Sequence, residues 1–229
     1  MHPNIQILTS AAESLGELTN DLVFLGGCAT GLLITDPAAP EIRVTRDVDA
    51  IAQITTRMEY YQLADRLRAC GFSESQEDGA PLCRWENAEV ILDVMPTDEN
   101  ILGFSNPWYE SAIHTAEVVS LPTGHAIKLV SPAYFLATKL AAFYGRGRGD
   151  FLMSHDIEDI VAVLDGRPEI VMDIQGADNK VRQYLSEQFT VLLNSRDFVE
   201  AITGHLPADS ASQKRVSLLV ERIRQFQKG

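Results

Sequence analysis

Leu22-Val23-Phe24-Leu25-Gly26-Gly27, followed by Asp47-Val48-Asp49 and then by Ile91-Leu92-Asp93-Val94-Met95, is the part of this chain that decides its fold. A short apolar run that stops at paired glycines reads as a buried strand turning into a helix. Side chains alternate faces along a strand, so Asp47 and Asp49 share one face and Val48 takes the other. Val48, Ala50 and Ile51 mark that strand as buried, and Leu92, Val94 and Met95 do the same for the strand that carries Asp93. Unpaired carboxylates in such places are costly. Brought together they repel, until one takes up a proton or a divalent cation neutralises them. Magnesium suits the cluster, because it prefers a few carboxylate oxygens plus the oxygens of a substrate phosphate. Asp47, Asp49 and Asp93 therefore read as metal ligands of a phosphoryl- or nucleotidyl-transfer site.

Working outward, apolar positions at Ile5, Leu8, Ala11, Ala12, Leu15 and Leu18 have a helical period. The prolines of Thr35-Asp36-Pro37-Ala38-Ala39-Pro40 make a loop. A helix over 58–69 stops at Gly71, a C-cap residue. Strands follow over 82–85 and 89–95, joined by a hairpin turn at Glu86-Asn87-Ala88, with a further strand over 117–121. Beyond Pro122-Thr123-Gly124 the pattern becomes helical. Ser131-Pro132 opens a helix in the preferred N-cap and N1 positions, and further helices cover 154–164, 174–193 and 212–226. The expectation is an α+β protein. A mixed sheet with flanking helices occupies 1–126, and a helical bundle occupies 127–229.

Composition narrows the function. The chain has 229 residues and a net charge of −13, which gains little from counterion release on nucleic acid, so bulk DNA binding is not expected. Gly145-Arg146-Gly147-Arg148-Gly149 is a local basic exception. The three cysteines, Cys28, Cys70 and Cys83, form no CxxC pair and no disulfide framework. No apolar run is long enough for a bilayer, and Met1-His2-Pro3-Asn4 opens no leader pattern, so a cytoplasmic protein without membrane partners is expected.

The glycine turn lets backbone N–H groups approach a phosphate at a helix N-terminus. It is not a Walker A loop, because Leu32-Leu33 stands where Gly-Lys or Lys-Ser belongs. Nor is Asp47-Val48-Asp49 the start of a calcium loop, since residues 51–58 lack its glycine and oxygen ligands. Lys139 is the one charge on an otherwise apolar helix over 133–144. Two readings stand for it, snorkelling to solvent or meeting a triphosphate as a point charge. Asp156 and Asp159, in the first turn of their helix, complement its dipole or serve a site.

An apolar strand, Gly26-Gly27, Asp47-Val48-Asp49 and a third acid at Asp93 resemble the polymerase-β-like nucleotidyltransferase superfamily. The spacing before Thr45-Arg46-Asp47, with Lys139, Arg146 or Arg148, and Asp156 following in order, looks most like the AbiEii/AbiGii-type toxins of toxin–antitoxin and abortive-infection pairs. The resemblance covers residues 20–165. It implies transfer of a nucleoside monophosphate from a nucleoside triphosphate to an acceptor hydroxyl, on tRNA, a protein or a small molecule. Two Mg2+ ions, replaceable by Mn2+, would sit on Asp47, Asp49 and Asp93. Catalysis would fall to those three with Lys139 and Asp156. Gly26, Gly27, Thr30, Thr45, Lys139, Arg146 and Arg148 would hold the nucleotide. A cognate antitoxin would be a partner. The alternatives are an antibiotic adenylyltransferase, which an acidic cleft would serve, and a catalytically silent nucleotide- or partner-binding domain.

Overall fold

The computed structural model describes residues 1–146 and 149–226. The chain falls into two compact units, Met1–Gly31 with Val44–Ser131, and Leu32–Arg43 with Pro132–Gly229.

In the first unit, α1 (Pro3–Leu15) and a 3-10 segment (Gly16–Asp21) lead into β1 (Leu22–Leu25), and α2 (Gly26–Leu33) starts at the glycine pair. Then come β2 (Asp47–Ala52), α3 (Arg57–Ala69), β3 (Ser73–Glu74), β4 (Arg84–Glu86), β5 (Ile91–Pro96), α4 (Glu99–Leu102), α5 (Tyr109–His114), β6 (Glu117–Ser120) and β7 (Ala126–Leu129). The helix expected through Leu18 ends at Leu15, because Gly16 turns the backbone to a positive φ of 53°. Seven strands form one mixed sheet in the order β3-β4-β5-β2-β1-β7-β6. β2 lies at its centre, antiparallel to β1 and parallel to β5. Its apolar side chains Val48, Ala50 and Ile51 are fully buried, as are Phe24 and Leu92 on its neighbours. A strand covered on both faces reads as a near-continuous apolar run, and the acids interrupt that run at chosen places.

The expected boundary between residues 126 and 127 falls inside β7, which pairs in parallel with β1. The unit continues to Ser131, where the Val130 N–H donates to the Phe24 carbonyl at 2.9 Å. The hairpin turn expected at 86–88 lies one step further on. Glu86 pairs with Ile91, and the Asn87 side chain accepts from the N–H groups of Glu89 and Val90 at 2.9 and 2.8 Å. This Asx-type turn fixes the register of β4 against β5.

The second unit holds α6 (Pro132–Gly145), α7 (His155–Gly166), α8 (Ile170–Gly176), α9 (Asn179–Asn194), α10 (Arg196–His205) and α11 (Ser210–Gln225). α6 packs on α7, α8 and α9, while α11 packs on α7 and α9. The single helix expected over 174–193 is broken, because Asp178 caps α9 by accepting from Lys180 and Val181. Residues 32–43 join this unit through backbone bonds from Thr35 and Asp36 to the Gly166 carbonyl, both 2.9 Å. Arg215 bridges Asp36 and Asp165 at 2.7 and 2.8 Å. The α+β class stands, with a mixed sheet and a C-terminal helical region. No helix among the described residues is long and apolar enough to cross a membrane.

Candidate active site

Register does most of the assembly. Across the sheet, Leu25 of β1 is opposite Asp49 of β2, Asp49 is opposite Asp93 of β5, and Asp93 is opposite Arg84 of β4. Partner residues in adjacent strands point to the same face, so one row carries two carboxylates and a guanidinium. Asp47 joins it from two positions along β2, on the same face.

Each of the three acids is held differently. Asp93 is buried, and both its oxygens accept from Arg84, Oδ1 from Nε at 2.8 Å and Oδ2 from Nη2 at 2.7 Å. This is the bidentate fork that makes arginine–carboxylate pairs strong and geometrically fixed. The same Nη2 reaches Asp47 Oδ2 at 3.2 Å. Asp47 Oδ1 accepts from the Thr45 hydroxyl at 3.2 Å. Asp49 lies against the start of α2. A Cβ placed on Gly26 would come within 1.8 Å of Asp49 Oδ2, and Gly26 has φ +75°, so only glycine lets the turn close over this carboxylate. The positive end of the α2 dipole favours an anion there.

Asn4 of α1, which is completely buried, ties the turn to the acid strand. Its side-chain amide donates to the Gly27 carbonyl at 3.4 Å, and its Oδ1 accepts from the Thr45 N–H at 3.0 Å. The Cys28 thiol donates to the Asn4 carbonyl at 3.0 Å. Thr30, expected at a phosphate, turns its hydroxyl back to the Gly26 carbonyl at 3.3 Å. Electrostatics follow from this packing. Burial pushes the Cys28 thiol far up, helped by the charges of Asp49 and Asp47. Cys83 is pushed up to about 12, by burial first and then by Asp93. The Asp93 hydrogen bond raises Arg84 above its ordinary value. Neither thiol is a nucleophile in such surroundings.

The chemistry of these side chains bears on magnesium. Among the described residues, no group of three His, Cys, Asp or Glu side chains is arranged to hold a metal ion. Arg84 stands between two of the acids and takes part of that role. Asp47, whose side chain is 40% exposed, and Asp49 beside it still offer hard oxygen donors on one face. Those two fit a magnesium ion, while Asp93 is committed to Arg84.

The remaining predicted residues lie in the second unit. Lys139, with a side chain 12% exposed, does not reach for solvent: its Nζ meets Asp159 Oδ2 at 2.7 Å and Asp156 Oδ1 at 3.3 Å. Arg146 Nη1 meets Asp156 Oδ2 at 2.7 Å, and Arg43 meets Glu158 at 3.2 Å and Asp159 at 3.4 Å. Both aspartates are buried, Asp156 in the first turn of α7, whose N-cap is Ser154, and Asp159 just beyond it. Arg148 lies outside the described residues. Arg84, Asn4 and Arg43, which hold predicted residues by hydrogen bonds and ion pairs, are not singled out by the sequence. Neither a known protein family nor a curated protein matches this chain.

Proposed function

We propose that this chain is a magnesium-dependent nucleotidyltransferase, moving a nucleoside monophosphate from a nucleoside triphosphate to an acceptor hydroxyl. One observation carries the reading. Gly26, at the end of β1, packs directly on the carboxylate of Asp49, which lies in register with Asp93. A glycine turn, a D-x-D strand and a third acid, far apart in sequence, thus meet at one sheet face.

In this reading Asp47 and Asp49 hold the ion. Bound magnesium would neutralise triphosphate oxygens and polarise the α-phosphorus. The acceptor oxygen forms its bond to that phosphorus as the bond to the bridging oxygen breaks, and pyrophosphate leaves with the electron pair. The acceptor proton passes to Asp93, whose carboxylate Arg84 aims. Backbone N–H groups at the start of α2 draw the phosphates. Lys139, Arg146 and Asp156 follow in the order found in abortive-infection toxins, which supports that setting and a cognate antitoxin as partner. The charge of −13 favours a compact acceptor over long nucleic acid.

A second reading, a silent nucleotide- or partner-binding domain, is favoured by Arg84, which already neutralises part of the acid cluster. Labelling separates the two. The purified protein and its Asp47→Ala/Asp49→Ala variant are incubated with magnesium, each α-labelled nucleoside triphosphate, total RNA and cell extract. Label on one class of molecule from the wild type alone is expected and names the acceptor. Equal labelling by the variant sinks the assignment, and no labelling by either favours the silent domain.

A further inference from the structure

Arg84 pairs with two of the three carboxylates on the sheet face, and its geometry gives it a role there. We propose that Arg84 is a fixed counter-cation that replaces one of two divalent ions, so that this site binds a single ion through Asp47 and Asp49. The inference rests on the nucleotidyl-transfer reading.

Three observations carry it. Arg84 is directly opposite Asp93 in the β4–β5 register, so the strand pairing, not a flexible loop, delivers the guanidinium. Its fork uses both oxygens of Asp93, at 2.8 and 2.7 Å, and extends to Asp47 at 3.2 Å. The Arg84 side chain is only 19% exposed and that of Asp93 only 9%, so both charges are substantially removed from water. Breaking a buried pair leaves an uncompensated charge, and so the fork is expected to persist when an ion arrives.

Occupancy gives the stoichiometry. The fork takes both oxygens of Asp93, which leaves Asp47 and Asp49 as the carboxylates of that face placed to hold a divalent ion. A second ion at Asp93 would have to displace Arg84 or sit beside its positive charge, and like charges at contact distance repel strongly away from water. Arg84 acts through Asp93 and Asp47, which makes it a positioning residue.

The test counts Mn2+ bound per chain, by calorimetry and by electron paramagnetic resonance of the free ion. Wild type is expected to bind one. Arg84→Gln, with its circular dichroism unchanged, is expected to bind two, and Arg84→Lys, which keeps the charge, one. Adding Asp93→Asn to Arg84→Gln is expected to restore one, because the second ion needs that carboxylate. If Arg84→Gln does not fold, Asp93→Asn alone decides: it keeps the side chain's shape, and the single ion is expected to stay bound with affinity changed less than about 10-fold, the smallest loss usual for an altered metal site. Two ions on wild type, one on a folded Arg84→Gln, or loss of the ion in Asp93→Asn overturns the proposal and leaves the nucleotidyl-transfer reading standing. No Mn2+ on wild type overturns both.

Discussion

Gly26 shows how one residue without a side chain sets the place of another residue's charge. Two independent constraints act on it, a φ of +75° and the carboxylate of Asp49 where a Cβ would be. A left-handed conformation costs an alanine about 1 kcal/mol before any contact is counted. The clash must then move either the start of α2 or the Asp49 side chain. Gly26→Ala is expected to lower stability by roughly 2 kcal/mol and to abolish transfer, since Asp49 can no longer sit over the turn. Denaturant unfolding and the labelling assay check the two parts. Gly176→Ala, with nothing within 4 Å of the added carbon, is the neutral control. Gly26, Asp47, Asp49 and Asp93 were legible in the sequence because each breaks an apolar strand with a residue that strands do not favour. Asn4 was not. It is a polar residue in the first turn of an amphipathic helix, and only tertiary packing turns its amide toward Gly27 and Thr45.

At the scale of elements, register decided what could be foreseen. With the hairpin turn at 86–88, Arg84 would not face Asp93. The Asn87 side chain moves the turn onward and lines the two up. Since side chains alternate with a period of two, a one-residue slip sends Arg84 to the other face, and so its role could not be read from spacing. β7 was missed because Ala126-Ile127-Lys128-Leu129 is too short to show a period, and its alternation is visible only once β1 and β6 flank it. The α6–α7 pair was legible as two helices but not as a charged contact. Lys139 there neutralises Asp156 and Asp159, both buried. Removing one partner of a buried ion pair costs about 3–5 kcal/mol, because the remaining charge stays in the interior. Lys139→Met is therefore expected to destabilise the second unit by about 3 kcal/mol, measured by urea denaturation followed by circular dichroism. Any loss of transfer in this variant must be read at a concentration of folded protein fixed by that curve. Unchanged stability would mean that the lysine is not held by its aspartates in solution.

For the whole molecule, most of the carboxyls with lowered values lie in the second unit, while Glu59, held by hydrogen bonds from Thr55 and Thr56, lies in the first. In the second unit, Asp36, Glu169, Asp178 and Asp209 all sit below the ordinary carboxylate range. Their first causes are hydrogen bonds from Arg215, Thr35, Tyr134 and Ser212 respectively. A carboxyl with a lowered value in the folded state binds its proton later on acidification than it does unfolded. Its contribution to stability is therefore full above about pH 4 and is lost as the pH falls through the lowered folded value. Asp178 and Asp209 also cap helices, α9 and α11 respectively. Both tryptophans, Trp85 and Trp108, belong to the first unit. Acidification below about pH 4 is expected to reduce the helical circular dichroism signal before tryptophan fluorescence changes. Asp178→Asn keeps a capping side chain but cannot carry the charge that Tyr134 stabilises. It should lower stability at pH 7 and narrow its difference from wild type as the pH falls. A tryptophan transition that precedes the helical one would place the acid-sensitive group in the first unit, at Glu59 in the capping box of α3, rather than on α9.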